Sequence, residues 1–319
     1  MIFDGHADIW TDIAIKRKNG LKNIFKNYHL ERFRQGGING GIFAIWTDHP
    51  YDKESNITVQ EIVHHMSTEI MDNLDIFKII RKHSDLESAI NESKMQVIIG
   101  IEGLSCIGDN VNLIDTFYML GVRHASLTWN EENELATGVM GNPDRGLTDT
   151  GIKAVKKLEK RGMIIDVSHA NGKTFWDIYN NTTKPLIASH SNCRSVCNVS
   201  RNLTDDQLKA IAKRGGVVGL NTYREFVHEE RGKQDLHHLV NHVDHMVKVM
   251  GIDHVALGFD FSDYLEGDAI NEDDGTIGVE TTSKAKHIID ELEKRGYSKE
   301  DIDKISCRNF YRIIREILR

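Results

Sequence analysis

Short apolar runs alternate with longer amphipathic stretches along the chain. The runs that read as buried strands lie at 2–8, 40–47 ("GGIFAIWT"), 95–102 ("MQVIIGIE") and 121–129 ("GVRHASLTW"). Four more follow at 162–169 ("GMIIDVSH"), 184–190 ("KPLIASH"), 215–222 ("GGVVGLNT") and 254–261 ("HVALGFDF"). Helical patterns separate most of them, among them "LIDTFYML" at 113–120 and the stretches 148–162, 204–215 and 236–251. Thr148 is placed to cap its helix. Several helical stretches end in Gly just before the next apolar run, the pattern of a helix C-cap followed by a strand. Eight strands alternating with helices, all near-continuously apolar, predict a parallel (β/α)8 barrel of the TIM type. A doubly wound nucleotide-binding sheet would share the alternation but place a Gly-rich phosphate loop after an early strand. "GGINGG" at 36–41 precedes a strand instead and reads as a turn. No linker, low-complexity tract or repeat divides the chain, so residues 1–319 read as one catalytic domain.

The carboxyl ends of these runs carry ionisable residues. His6 and Asp8 end the first, and Glu102, His169, His190 and Asp260 end or nearly end four others. A barrel brings all those ends to one rim, where barrel enzymes keep their active sites. In "IFDGHADIW", Asp4, His6 and Asp8 are two apart and would share one face of a strand. Two carboxylates and three imidazoles, without thiolates, suit zinc or a similar divalent ion. Five ligands exceed the three that an open catalytic zinc takes from the protein, but they suffice for two ions if one carboxylate bridges. Two divalent ions, two carboxylates and a hydroxide leave a charge of about +1, which attracts an anionic substrate. Such a pair lowers the pKa of bound water from ~15.7 towards ~7 and polarises a carbonyl. Asp4 lies deeper and reads as a structural hydrogen-bond acceptor. His242 and His245, three apart on a helical stretch, read as part of a solvated face.

Composition narrows the class. Of 319 residues, 28% are charged and the net charge is −8. With no basic block there is no electrostatic footprint for nucleic acid. No apolar run approaches the length of a spanning helix, and the N-terminus lacks a signal-peptide layout. Cys106, Cys193, Cys197 and Cys307 form no CxxC pair, which argues against a disulfide framework or a cysteine zinc site and points to a cytoplasmic setting.

The strand-end residues, in this order, resemble the membrane dipeptidase (renal dipeptidase) family of zinc peptidases over nearly the whole chain. "DGHAD" resembles the family's opening DGHxD, and "GIEG" the strand whose Glu bridges two metals. "GLTDTGIKAVKKLEKRGMIIDVSH", "PLIASHSNCRSVCNVSRNL" and "HVALGFDF" resemble three further blocks. The 21 residues from His169 to His190 and the 11 from His190 to Arg201 match the family spacing without gaps. The resemblance implies two Zn2+ ions, one held by His6 and Asp8, the other by His169 and His190, with Glu102 bridging. It implies Asp260 as proton shuttle, Arg201 as the group binding the substrate carboxylate, and a small dipeptide as substrate. A hydroxide bridging the two zinc ions would attack the peptide bond, with no nucleic-acid or membrane partner and a homodimer as candidate assembly.

This sequence also departs from the family. Trp129 stands where many members carry a His, so either Asn130 or another donor substitutes for it or the substrate differs. Asn221, Tyr223 and Trp129 are expected to line the pocket. Ser262, followed by Asp263, replaces a second Asp, and "SCRNFYRII" departs from the pattern before the last helix. Two rival functions share these residues. One is a binuclear barrel amidohydrolase acting on a cyclic or acylated amide. The other is a metal-binding barrel without catalysis, against which Asp260, a non-ligand in the dipeptidase scheme, argues.

Overall fold

The computed structural model describes residues 1–47, 54–265 and 274–319. Among them, nine strands form one sheet with every pairing parallel. They are β1 (Ile2–Ala7), β2 (Ile38–Ile45), β3 (Phe77–Ile79), β4 (Met95–Ile101), β5 (Val122–Ser126), β6 (Ile164–Asp166), β7 (Leu186–Ala188), β8 (Val217–Leu220) and β9 (Val255–Leu257). The order β1-β2-β4-β5-β6-β7-β8-β9 makes a nearly closed eight-stranded (β/α)8 barrel. The extra strand, β3, pairs with Met95–Val97 of β4, while β5 pairs with Ile99–Ile101 of the same strand. Three residues, "FKI", carry too little pattern to stand out in sequence.

β1 and β9 meet without a ladder, and side chain and backbone close the seam together. The backbone N–H of Asp260 donates to the His6 carbonyl at 3.3 Å. Asp4 accepts the backbone N–H groups of Phe259 (2.9 Å) and His6 (3.1 Å), the structural part its depth suggests.

The strands are shorter than their apolar runs. His169 and Asp260 adopt φ of +65° and +60°, so the extended backbone breaks before each. That conformation disfavours residues with a Cβ, and strain of this kind gathers at functional sites. Asp8, expected on the first strand, instead precedes the helix Ile9–Lys18, and the β1–β2 register slips between Asp4 and Ala7. The three acidic and basic groups of "DGHAD" therefore do not share one strand face. β2 begins at Ile38, two residues earlier than its run suggests, because Gly37 (φ +73°) ends the helix Leu30–Gly36 immediately before it. Helices follow at Leu113–Leu120, Asp149–Arg161, Asp205–Lys213 and Leu236–Met250, with Thr148 and Thr204 accepting first-turn N–H groups.

Two layers of apolar packing hold the barrel. The larger lies between strands and helices, with Trp10, Phe25, Phe43 and Phe175 fully buried. The smaller fills the barrel floor with Phe3, Ile42, Ile98, Ile164, Ile187, Val217 and Ala256, one residue from each of seven strands. The final helix, Asn309–Ile317, plugs this floor with Phe310, Ile313 and Ile314. Asn309, within the departing "SCRNFYRII" stretch, donates to the carbonyls of Ile252 and Val255, both at 2.8 Å, and so ties the plug to the start of β9. Above the floor, Gly5, Gly219 and Gly258 surround the Ser189 carbonyl. A Cβ at any of them would lie 2.4 Å or less from that oxygen. The small residues let the chain after β7 dip inward and present His190.

Candidate metal centre

His6, Asp8, Glu102, His169, His190 and Asp260, spread over 255 positions of sequence, converge at the carboxyl ends of the barrel strands. Glu102 sits at the centre. Its Oε2 lies 3.5 Å from Nε2 of His6, which is 3.3 Å from Oδ1 of Asp8. Its Oε1 lies 2.9 Å from Nε2 of His169 and 3.2 Å from Nε2 of His190. The two carboxylate oxygens thus face two separate groups, His6–Asp8 and His169–His190, each able to hold a cation together with Glu102.

The donor set fits divalent metal. The Nε2 atoms of His169 and His190 are 2.9 Å apart. Burial, Arg201 and the neighbouring His6 hold both imidazoles neutral, well below the usual histidine range. Nδ1 of His169 meets both the Asn130 amide at 2.8 Å and the Nε–H of Arg201, which donates to it at 3.2 Å. Nε2 of His6, Oδ1 of Asp8 and Oε1 of Glu102 are all buried without a hydrogen-bond partner. Burial opposes charge on His6, but the carboxylates of Glu102 and Asp8 outweigh it and push the imidazole well above its ordinary range. Burial pushes Glu102 up to about 7 and raises Asp260 as well. The cluster is short of positive charge.

Asp260 stands beside this set. Its Oδ1 is 3.9 Å from Nε2 of His6, and its Oδ2 accepts from Nδ2 of Asn221 at 3.0 Å. Asn221 is 0% exposed, and its Oδ1 accepts the Tyr223 backbone N–H at 2.6 Å. It positions Asp260 and does not line a pocket as its place in the sequence suggests. Asn130 likewise has its amide oxygen against His169. Tyr223 is half-buried with its ring on Phe226.

Arg201 is buried beside the same imidazoles. It donates to Nδ1 of His169 (3.2 Å), to Oγ of Ser191 (2.9 Å) and to the His190 carbonyl (3.0 Å), and lies over the Phe226 ring. Among the described residues no carboxylate pairs with it.

Two residues near the site, Trp46 and Tyr264, are not among the sequence candidates, and others lie differently from their sequence reading. Trp46, just past β2, and Trp129, past β5, stand T-shaped at 5.7 Å across the end of β4, and Trp129 reaches to 6.2 Å from the His169 ring. The alternation Ile42, Ala44, Trp46 would have placed Trp46 on the inner face. The Tyr264 hydroxyl accepts the backbone N–H of Asp8 at 3.0 Å. Asp263 is bound to Thr282 and Arg32, away from the metal ligands. His242 is not on a solvated face. It is fully buried, donating from Nε2 to the Val227 carbonyl and accepting the Cys193 N–H at Nδ1. His245 pairs with Asp205 at 2.8 Å.

A parallel barrel with this cluster of carboxylates and imidazoles on its carboxyl rim defines a metal-dependent hydrolase. The model of the membrane dipeptidase family, peptidase family M19, matches residues 1–319, and the chain belongs to that family. Its activity class is accordingly that of a metal-dependent dipeptidase. The chain is 35% identical over 244 residues to a Klebsiella pneumoniae protein known from the pqqA 5′ region, covering 73% of this chain and 86% of that one. The dipeptidase AC, a family M19 metallo peptidase, superposes with TM-score 0.88 and 26% identity over 99% of this chain and 98% of its own. A Rhodobacter sphaeroides metallo peptidase, liganded with a phosphinate mimic of the dipeptide L-Ala-D-Ala, gives TM-score 0.87 and 25% identity over 99% of each chain. Among the described residues no helix is long and apolar enough to cross a membrane.

Proposed function

We propose that this chain hydrolyses small dipeptides at a two-ion site, with His6 and Asp8 holding one ion, His169 and His190 the other, and Glu102 bridging. Zinc suits the imidazole–carboxylate set. The observation that carries this reading is the division of Glu102, one oxygen toward each ligand group. Bound divalent ions would supply water activated near neutral pH and Lewis acidity toward the scissile carbonyl.

The chain's own residues do the rest. Asp260, held by Asn221 and close to His6, accepts the proton of the attacking water and delivers it to the leaving amine. Its raised pKa suits both halves of that transfer. Arg201 binds the substrate's free carboxylate through its planar fork, which selects substrates whose chain ends one residue past the scissile bond. The bound dipeptide mimic of the Rhodobacter protein supports the same substrate class. Trp46 and Trp129 pack edge to face just past β2 and β5, the neighbours of the strand that leads to Glu102, and Asn130 and Arg201 both meet Nδ1 of His169. Turnover of a panel of L,L- and L,D-dipeptides with added zinc tests the reading. Hydrolysis of cyclic amides or acyl amides in preference to free dipeptides would overturn it.

A further inference from the structure

Asp166, the last residue of β6, reaches His190 through a serine. Its Oδ1 accepts the backbone N–H groups of Ser168 (2.9 Å) and Ser189 (3.0 Å). Its Oδ2 accepts from Nε2 of His124 (3.0 Å) and from the Ser189 hydroxyl. A carboxylate has about four acceptor positions, and all of them are filled by donors here, so Asp166 carries no proton of its own. The Ser189 hydrogen is thereby committed to Asp166. Ser189 Oγ also lies 2.7 Å from Nδ1 of His190, and toward that atom it can only accept. Nδ1 must then bear the imidazole's hydrogen, and the lone pair falls on Nε2, the atom facing Glu102 and His169.

We infer that Ser189 and Asp166, backed by His124, are positioning residues that fix His190 in the tautomer able to bind metal. The inference rests on the reading of His190 as a ligand. The four side chains come from β5, β6 and the turn after β7, and none is more than 2% exposed. Water cannot substitute for a lost partner in so closed a place. His190 is thus set by a buried carboxylate acting through a hydroxyl. Outer partners of metal-bound histidines typically contribute roughly 10- to 100-fold in metal affinity.

The test uses the full chain. Nitrogen-15 NMR of the metal-free protein, with His190 assigned against His190→Gln, reads the tautomer directly, and competition with a chromophoric chelator reads zinc affinity. The expected wild-type spectrum has hydrogen on Nδ1. Ser189→Ala should lose that preference and weaken zinc binding at one of two sites by roughly 10- to 100-fold, and Ser189→Thr, which keeps the hydroxyl, should restore both. Asp166→Asn should behave as Ser189→Ala. If it does not fold, the serine pair and the wild-type spectrum still decide. Hydrogen on Nε2 in wild-type protein, or unchanged zinc affinity in Ser189→Ala, would overturn the inference. Failure of wild-type protein to bind zinc at all would instead overturn the ligand reading.

Discussion

Asn221 donates to Oδ2 of Asp260 at 3.0 Å, while Oδ1 of the same carboxylate points toward His6 at 3.9 Å. One oxygen is held by the protein and the other is directed to the place where the metal ligands meet. The arrangement fits the proton carrier proposed above, anchored at one side and free at the other. Asp260→Asn should therefore keep its metal content but lose roughly 10²- to 10⁴-fold in kcat, the usual contribution of a general acid–base group. Asn221→Ala should lose less, since it removes one hydrogen bond and leaves the carboxylate itself in place. Metal analysis beside steady-state kinetics checks both, and loss of metal in Asp260→Asn would make Asp260 a ligand.

Arg201 tests the substrate assignment. A charge-assisted pair to a substrate carboxylate contributes about 1.5–3 kcal/mol, a factor of roughly 10 to 150 in kcat/KM. Arg201→Ala should lose that much on free dipeptides and little more on C-amidated ones, which are already poor. Arg201→Lys should recover only part, because an ammonium lacks the fork. Equal losses on free and amidated substrates would mean that Arg201 only braces Ser191 and the turn after β7.

His242 gives the fold a pH dependence away from the metal. Burial pushes it down to about 4, and protonation at Nδ1 would break its bond from the Cys193 N–H. In the unfolded chain the imidazole titrates near 6.5, so between the two values the unfolded state binds more protons. The contribution to stability is full above pH ~6.5 and is lost as pH falls toward 4, approaching about 3 kcal/mol. Urea unfolding at a series of pH values should show this slope in wild-type protein and a shallower one in His242→Gln. Equal slopes would refute it.

The barrel and the candidate metal cluster on its rim were legible because both are written in one dimension. A parallel strand buried on both faces is a continuous apolar run, and a barrel gathers whatever polar residue ends each run. Glu102 after "IIGI" and His190 after "LIAS" needed no further information. What escaped depends on pairing between distant segments. Asp166 and His124 sit inside runs that read as plain strand, and only the β5–β6 register brings them together. Asn130 and Asn221 looked like pocket residues because amides near a rim usually are, yet each is turned onto a site residue. His242 lies on a helix rich in polar residues, where periodicity could not show which side the Cys193 turn would cover. β3 was too short to register, and Asp8 fell outside its expected strand because the helix begins at once.

The two-ion site is tested most directly by counting metal. Protein saturated with zinc and freed of excess should hold two ions per chain by elemental analysis. Because each oxygen of Glu102 faces a different ligand group, Glu102→Gln should weaken both ions together. A saturating stoichiometry of one ion per chain, or loss of a single ion in Glu102→Gln with the other unchanged, would contradict the bridge.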